Sequence, residues 1–331
     1  MARKRDRRLI PKICEVLSTG CRLVNNLTID TCDFSVPDHE LAQILESCHN
    51  LAQFKMPSST FGILAVRALH RNYGTLTQLN LRTSYQVSSN TIHEILTSCP
   101  RMIKLKAGYL SAHHILGTTK EAKIEEQDGP QPILCPIDWV CLEIQELSVV
   151  IQGLENKPAE WHRQVFRQLG RFKKLEILDI GGCSGWSIQR KDGLDLRLKT
   201  GLDKLVNLTR LKQFRFNRLD QEMGKQDVHW ILQSWPSLEE ISGRLHFEYK
   251  FRKKLEKIID DDERIIRNDC YYYFDETGIM TDSGESDEEG GVAGDAEPTI
   301  EETAGVVELT SNETGKADVQ AEQEIQTGYP T

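Results

Sequence analysis

The stretch CRLVNNLTIDTCDF, residues 21–34, sets the reading of the whole chain. Its apolar residues Cys21, Val24, Leu27 and Ile29 are spaced three, three and two apart, with Cys32 and Phe34 following. The alternation Leu27-Thr28-Ile29 predicts a short strand with one buried face. The same spacing returns at Cys48-Leu51-Phe54-Met56, Tyr73-Leu76-Leu79-Leu81, Cys99-Met102-Leu105-Ala107 and Cys141-Ile144-Leu147-Val149. It returns again at Phe172-Leu175-Leu178-Ile180, Leu208-Leu211-Phe214-Phe216 and Trp235-Leu238-Ile241-Gly243. Successive anchors lie 27, 25, 26, 42, 31, 36 and 27 residues apart.

This is the leucine-rich-repeat pattern, LxxLxLxx(N/C), with a period of about 20–29 residues. Cys32 and Cys183 occupy its N/C place, and Ser59, Ser84 and Gln152 are polar there, while Leu110, Leu219 and His246 depart from it. One repeat cannot bury its own apolar face, so neighbours stack and share a continuous core. The segments before the anchors read as helices. HELAQILESC puts Leu41, Ile44, Leu45 and Cys48 on one face, and NTIHEILTSC does the same with Ile92, Ile95, Leu96 and Cys99. DVHWILQSW follows with Val228, Ile231, Leu232 and Trp235, leaving Trp230 off that face. Pro37-Asp38 and Asn90 are the helix-start signals. The fold predicted is an α/β leucine-rich-repeat solenoid, a horseshoe of about eight irregular repeats.

The domain plan follows. Residues 1–20 form a basic segment and first helix, and residues 21–250 the repeats, with an insertion at about 111–138. Residues 251–270 form a capping helix, and residues 271–331 a disordered acidic tail. The insertion holds EAKIEEQDGPQP, and a second loop is expected over GGCSGWSIQRKDG, residues 181–193. Of 41 basic and 50 acidic residues, sixteen acidic and one basic lie from Asp275 onward, leaving 40 and 34 in the body. The body is therefore mildly basic, and the tail, poor in apolar residues, has the composition of a disordered chain. Ser283 and Ser286, within DSGESDEE, are candidate phosphorylation sites for an acid-directed kinase.

The chemistry is sparse. The nine cysteines include no CxxC pair, which points to buried thiols in a reducing compartment. No apolar run reaches the length of about eighteen residues that a membrane span needs, and no secretory signal is evident. The basic start MARKRDRR fits a nuclear signal or a solvated chain end, so residence is expected in the cytoplasm, the nucleus or both. His113-His114 has no ligand-spaced cysteine or carboxylate beside it, and Cys183 falls on a repeat position. No metal, cofactor or catalytic constellation is expected, and the chain is read as no enzyme.

Side chains between the core positions of each strand point outward. The candidate protein-binding residues on that concave face are Lys55, Asn80, Arg82, Lys104, Lys106, Asp179, Arg215, Asn217 and Arg244. They make much of the face basic, which suggests an acidic or phosphorylated protein target. Few aromatics stand among them, so nucleic acid is not expected, nor is a membrane. The same charge contrast suggests that the tail occupies this face until a partner displaces it.

The 25–27 spacing with cysteine at anchor and turn resembles the cysteine-containing, ribonuclease-inhibitor-like class of leucine-rich repeats common in F-box proteins. GLDLRLKTGLDKLVNLTRLKQFRF (193–216) and DVHWILQSWPSLEEISGRL (227–245) are similar to the end of a large fungal group of F-box and leucine-rich-repeat proteins. PIDWVCLEIQEL (136–147) and VFRQLGRFKKLEILDIGG (165–182) fit it too, and the resemblance spans roughly residues 10 to 250. It implies a substrate receptor of a cullin-based ubiquitin ligase, joined to the cullin by a Skp-type adaptor. No F-box is found before the first repeat, where only LIPKICEVL precedes it. The alternative is a stand-alone repeat scaffold with no ligase role.

Overall fold

A computed structural model describes residues 23–29, 36–56, 61–82, 87–117, 136–181 and 192–268. The chain divides into two compact units, Met1–Tyr272 and Tyr273–Thr331, and the second lies outside the described residues. So do the segment 1–20, Cys32, Cys183, residues 118–135 of the insertion, Trp186, Ser283 and Ser286.

Each repeat lays down one strand. These are β1 (Asn26–Thr28), β2 (Gln53–Lys55), β3 (Gln78–Asn80), β4 (Lys104–Ser111) and β5 (Glu146–Gln152). They continue as β6 (Ile177–Asp179), β7 (Gln213–Arg215), β8 (Glu240–Ser242) and β9 (Ile266–Arg267). All nine pair in parallel and in chain order, forming one sheet. Parallel neighbours need a return path between them. It is supplied by α1 (Asp38–Ser47), α2 (Ile63–Leu69), α3 (Ser89–Ser98), α4 (Ala112–Ile115), α5 (Ala159–Leu169), α6 (Lys225–Ser234) and α7 (Tyr249–Asp260). Between β6 and β7 the return runs through two 3-10 turns, Leu198–Thr200 and Leu202–Leu205.

The register shows why the spacing recurs. Leu27, Phe54, Leu79, Leu105, Leu147, Leu178, Phe214 and Ile241 stand side by side across the strands. From Cys48 to Ile241, every residue at the four repeated positions is buried. Val24, Leu27 and Ile29 are only half-buried, and among the described residues β1 pairs with β2 alone. In α1 and α3 the predicted apolar faces are buried, Cys48 and Cys99 included. Trp230 packs edge-on against Trp235 at 5.5 Å, so it belongs to the core margin.

Four local features differ from the sequence reading. Ser88, not Asn90, caps α3, accepting the Thr91 N–H at 3.1 Å. Asp38 opens α1, but its carboxylate serves the next rung, accepting the N–H groups of Gly62, Leu64 and Ala65 at 2.9–3.1 Å. Ser111, expected to open the insertion, ends β4 instead and pairs with Gln152; the departure at Leu110 fits this, since the buried leucine pairs with Ile151 in a strand that runs past the usual turn. Finally, α7 ends at Asp260, where a helix to 270 was expected, and β9 forms a ninth rung. Ile241 pairs with Arg267, 26 positions on, so the period persists after the apolar pattern has gone. Arg267 meets Glu256 at 2.8 Å and Asp260 at 3.2 Å, an ionic contact that closes the end of the stack.

Candidate functional site

The sheet buries its middle row, so the rows on either side face away from the core. One runs Asn26, Gln53, Gln78, Lys104, Glu146, Ile177, Gln213, Glu240, and the other Thr28, Lys55, Asn80, Lys106, Ser148, Asp179, Arg215, Ser242. The first row brings carboxylates that the sequence reading left out. Lys106 Nζ lies 2.6 Å and Lys104 Nζ 3.6 Å from the Glu146 carboxylate. Arg215 donates from Nε and Nη2 to Glu240 at 2.9 and 3.1 Å. Arg82 Nη2 reaches Asp179 Oδ2 at 3.1 Å, and Arg244 lies 3.7 Å from Asp220. Asn217 accepts a hydrogen bond from Ser242 Oγ at 3.0 Å. Six cations, Lys55, Arg82, Lys104, Lys106, Arg215 and Arg244, thus stand with four carboxylates, Glu146, Asp179, Asp220 and Glu240, so the face keeps a mild basic excess. The oversight has a simple signal: in an xLx strand both flanking positions point the same way.

Lys55 is exposed and makes no ion pair among the described residues. With Asn80, Lys104, Lys106 and Glu146 it lines a shallow depression of about 190 Å³. Three lysines around one carboxylate leave this spot locally positive.

Asp179 anchors the middle of the face. It accepts from Arg82, from Ser148 Oγ at 3.0 Å and from the Gly181 N–H at 3.2 Å. Arg82 follows β3 and Asp179 lies in β6, three strand spacings away, about 14 Å in a flat sheet. A single ion pair across that span ties the turn after β3 to β6. Burial pushes the Asp179 carboxyl above its ordinary 3.8, and Arg82 pulls the other way. A folded value raised above the unfolded one means stability that is complete below about 3.8 and lost as pH rises through the folded value. Asp179→Asn removes that loss. Its stability relative to wild type is expected to increase as pH rises from about 4, read as the shift in urea midpoint. An unchanged difference across the series would mean the carboxyl is not destabilised by burial.

A larger cavity, about 470 Å³, lies among the turns that follow β5 to β8, lined in part by Lys157, His162, Asp195, Arg197, Glu222 and Phe247. Its walls are fixed by polar cross-links. Asp192 Oδ1 accepts the N–H groups of Gly153, Leu154 and Glu155 at 2.8–3.1 Å. Gln221 accepts from Leu196 N at 2.8 Å and donates to Leu194 O at 2.9 Å. Arg197 is held by Asp195 and Glu222, each at 2.6 Å. Burial holds the His162 imidazole below its usual range.

Among the described residues no group of three potential ligands could hold a metal ion, and no helix is long and apolar enough to cross a membrane. His113 packs edge-on against Trp161 at 5.0 Å, and His114 Nδ1 lies 2.7 Å from Ser89 Oγ. Cys48, Cys99 and Cys141 are buried. Burial pushes the thiols of Cys99 and Cys141 up to about 12. A thiol so placed is inert, since the thiolate is the reactive form. Alkylation at mildly alkaline pH is expected to spare both until urea unfolds the chain. Peptide mapping that finds either labelled as fast as in the unfolded chain would contradict their burial.

No family model matches the sequence, and no curated protein matches it. Among solved structures it is similar to internalin C2 from Listeria monocytogenes str. 4b F2365, with 13% identity. That likeness covers 74% of this chain and 80% of that one at a TM-score of 0.39.

Proposed function

We propose that this chain is a protein-recognition module, not an enzyme, and that it holds its partner on the polar face of the sheet. The observation that carries this reading is the face itself. Two rows of side chains, polar except at Ile177, run across the strands, held in place by cross-strand ion pairs at Glu146, Asp179 and Glu240. Side chains fixed before binding lose less entropy on binding. The depression at Lys55, Lys104 and Lys106 is where an acidic or phosphorylated group of the target would sit. The finer reading, a substrate receptor of a cullin-based ubiquitin ligase working in the cytoplasm or nucleus, rests on the F-box and leucine-rich-repeat likeness of residues 10 to 250.

The test is affinity purification of the tagged chain with the proteasome blocked, beside the double variant Lys55→Glu, Lys106→Glu. Wild type is expected to recover a target together with a Skp-type adaptor and a cullin. The variant is expected to recover the adaptor and cullin equally but the target at least about tenfold less. A target without adaptor or cullin would make the chain a stand-alone scaffold. A target retained by the variant would move the binding site off the sheet.

A further inference from the structure

The last helix carries a surface that the sheet face does not explain. Phe247, Tyr249 and Phe251 are 53%, 59% and 53% exposed, three large aromatics within five residues. The His246 ring stacks on Phe247 at 4.8 Å and lies 5.3 Å from Phe251, so the cluster is ordered from within. Lysines surround it. Lys253 Nζ stands 5.7 Å from the Tyr249 ring and Lys254 Nζ 5.8 Å from the Phe251 ring. Lys250, Lys254 and Lys257 make no ion pair among the described residues, and Glu256 lies buried beneath, engaged by Arg252, Lys253 and Arg267. The opposite side of α7, with Leu255 and Ile259, is already packed into the core.

Exposed apolar side chains grouped in this way mark an interaction site. The surrounding charge sets the occupant: apolar side chains to cover the rings, carboxylates to meet the lysines. A second observation narrows it. Phe247 also lines the 470 Å³ cavity, whose walls carry four carboxylates, Glu155, Asp195, Asp220 and Glu222, against two cations, Lys157 and Arg197. A phosphate polymer or an anionic bilayer laid on α7 would run against those carboxylates. A short peptide need not, because its charge can change sign along its length.

We propose that the Phe247–Tyr249–Phe251 surface docks a short segment of a partner protein that carries acidic and apolar side chains, with an adjoining basic residue entering the cavity. The surface is separate from the sheet face and stands whether or not that face binds a ligase target.

The test uses the full chain, immobilised and panned against a phage-displayed library of random peptides. Poly-uridylate and phosphatidylserine vesicles are assayed in parallel. Two exposed double variants accompany it, Lys250→Glu with Lys254→Glu and Phe247→Ser with Phe251→Ser, each first shown to keep the wild-type Tm. Enriched peptides are expected to combine Asp or Glu with apolar residues and a flanking Arg or Lys. Each double variant is expected to weaken their Kd at least about tenfold. Exchanging the peptide acids for lysine should restore binding to the Lys→Glu variant. The proposal is overturned if the selected peptides lack acids or bind both variants undiminished. It is equally overturned if poly-uridylate or the vesicles bind and the same variants abolish it.

Discussion

Leu178→Ala is expected to lower the stability of the chain by about 2–5 kcal/mol, the usual cost of emptying a closed core site. Leu178 is fully buried in β6, between Leu147 of β5 and Phe214 of β7. Neighbouring rungs cannot collapse into the gap without breaking their own strand pairing, so the cavity term adds to the lost transfer energy. The matched control is Ile177→Ala, one residue earlier on the opposite face and only half-buried, expected to cost less than about 1 kcal/mol. Urea denaturation of both variants checks the register directly. A one-residue slip would exchange the two faces, and a larger loss at Ile177 than at Leu178 would show it.

Gly243→Ala, a change of one methyl group, is expected to be nearly as costly. Gly243 takes the fourth apolar place of the eighth repeat, where earlier copies carry Met56, Leu81, Val149 or Ile180. A consensus argument would therefore favour a larger residue there. In the structure a Cβ at this position would lie 2.4 Å from Cδ2 of the Phe216 ring and 2.6 Å from Cε2. The ring of the preceding rung already fills the space. The backbone also sits at φ +147°, a conformation L residues rarely adopt. Overpacking contributes about 1–3 kcal/mol, and the backbone conformation about 1–3 kcal/mol more. Pairing Gly243→Ala with Phe216→Leu separates them, since a smaller side chain relieves the clash and leaves the strain. Wild-type stability in the single variant would mean that Phe216 does not fill this place.

These two sites mark the limit of what the repeat spacing could convey. At Leu178 the spacing alone predicts burial, because a leucine flanked by outward positions has one face to hide. At Gly243 the spacing predicts an apolar residue and misses that a neighbour supplies it. The ninth strand shows the same limit: Ile241 pairs with Arg267, yet no apolar residue stands where the pattern would look for one. Its backbone is held by Ile266 N to Glu239 O at 2.8 Å and Asn268 N to Ile241 O at 3.1 Å, bonds that depend on no side chain.

The candidate site divides in a similar way. That the positions flanking each core leucine point away from the core was legible, because alternation is a local property of strands. Which charges meet was not. Arg82 and Asp179 are 97 residues apart in sequence, and Lys106 and Glu146 are separated by the insertion. The exposed aromatic cluster at the start of α7 was equally hidden, because Phe247 and Tyr249 were read into the last repeat and Phe251 into the capping helix, and neither reading shows which side packs.

The sequence by itself therefore determined the rung: one strand and one return segment per period, with the buried side of each strand. Periodicity in a chain reports which residues share a face, and that is settled within a few residues of backbone. The tertiary structure decided what lies between rungs. It paired the lysines and arginines with carboxylates from other repeats, set Phe216 in the place of a side chain at Gly243, and formed the cavity beside Phe247 from turns of four repeats. Each of these depends on distances between residues far apart in the chain, and spacing along a sequence holds no information about them.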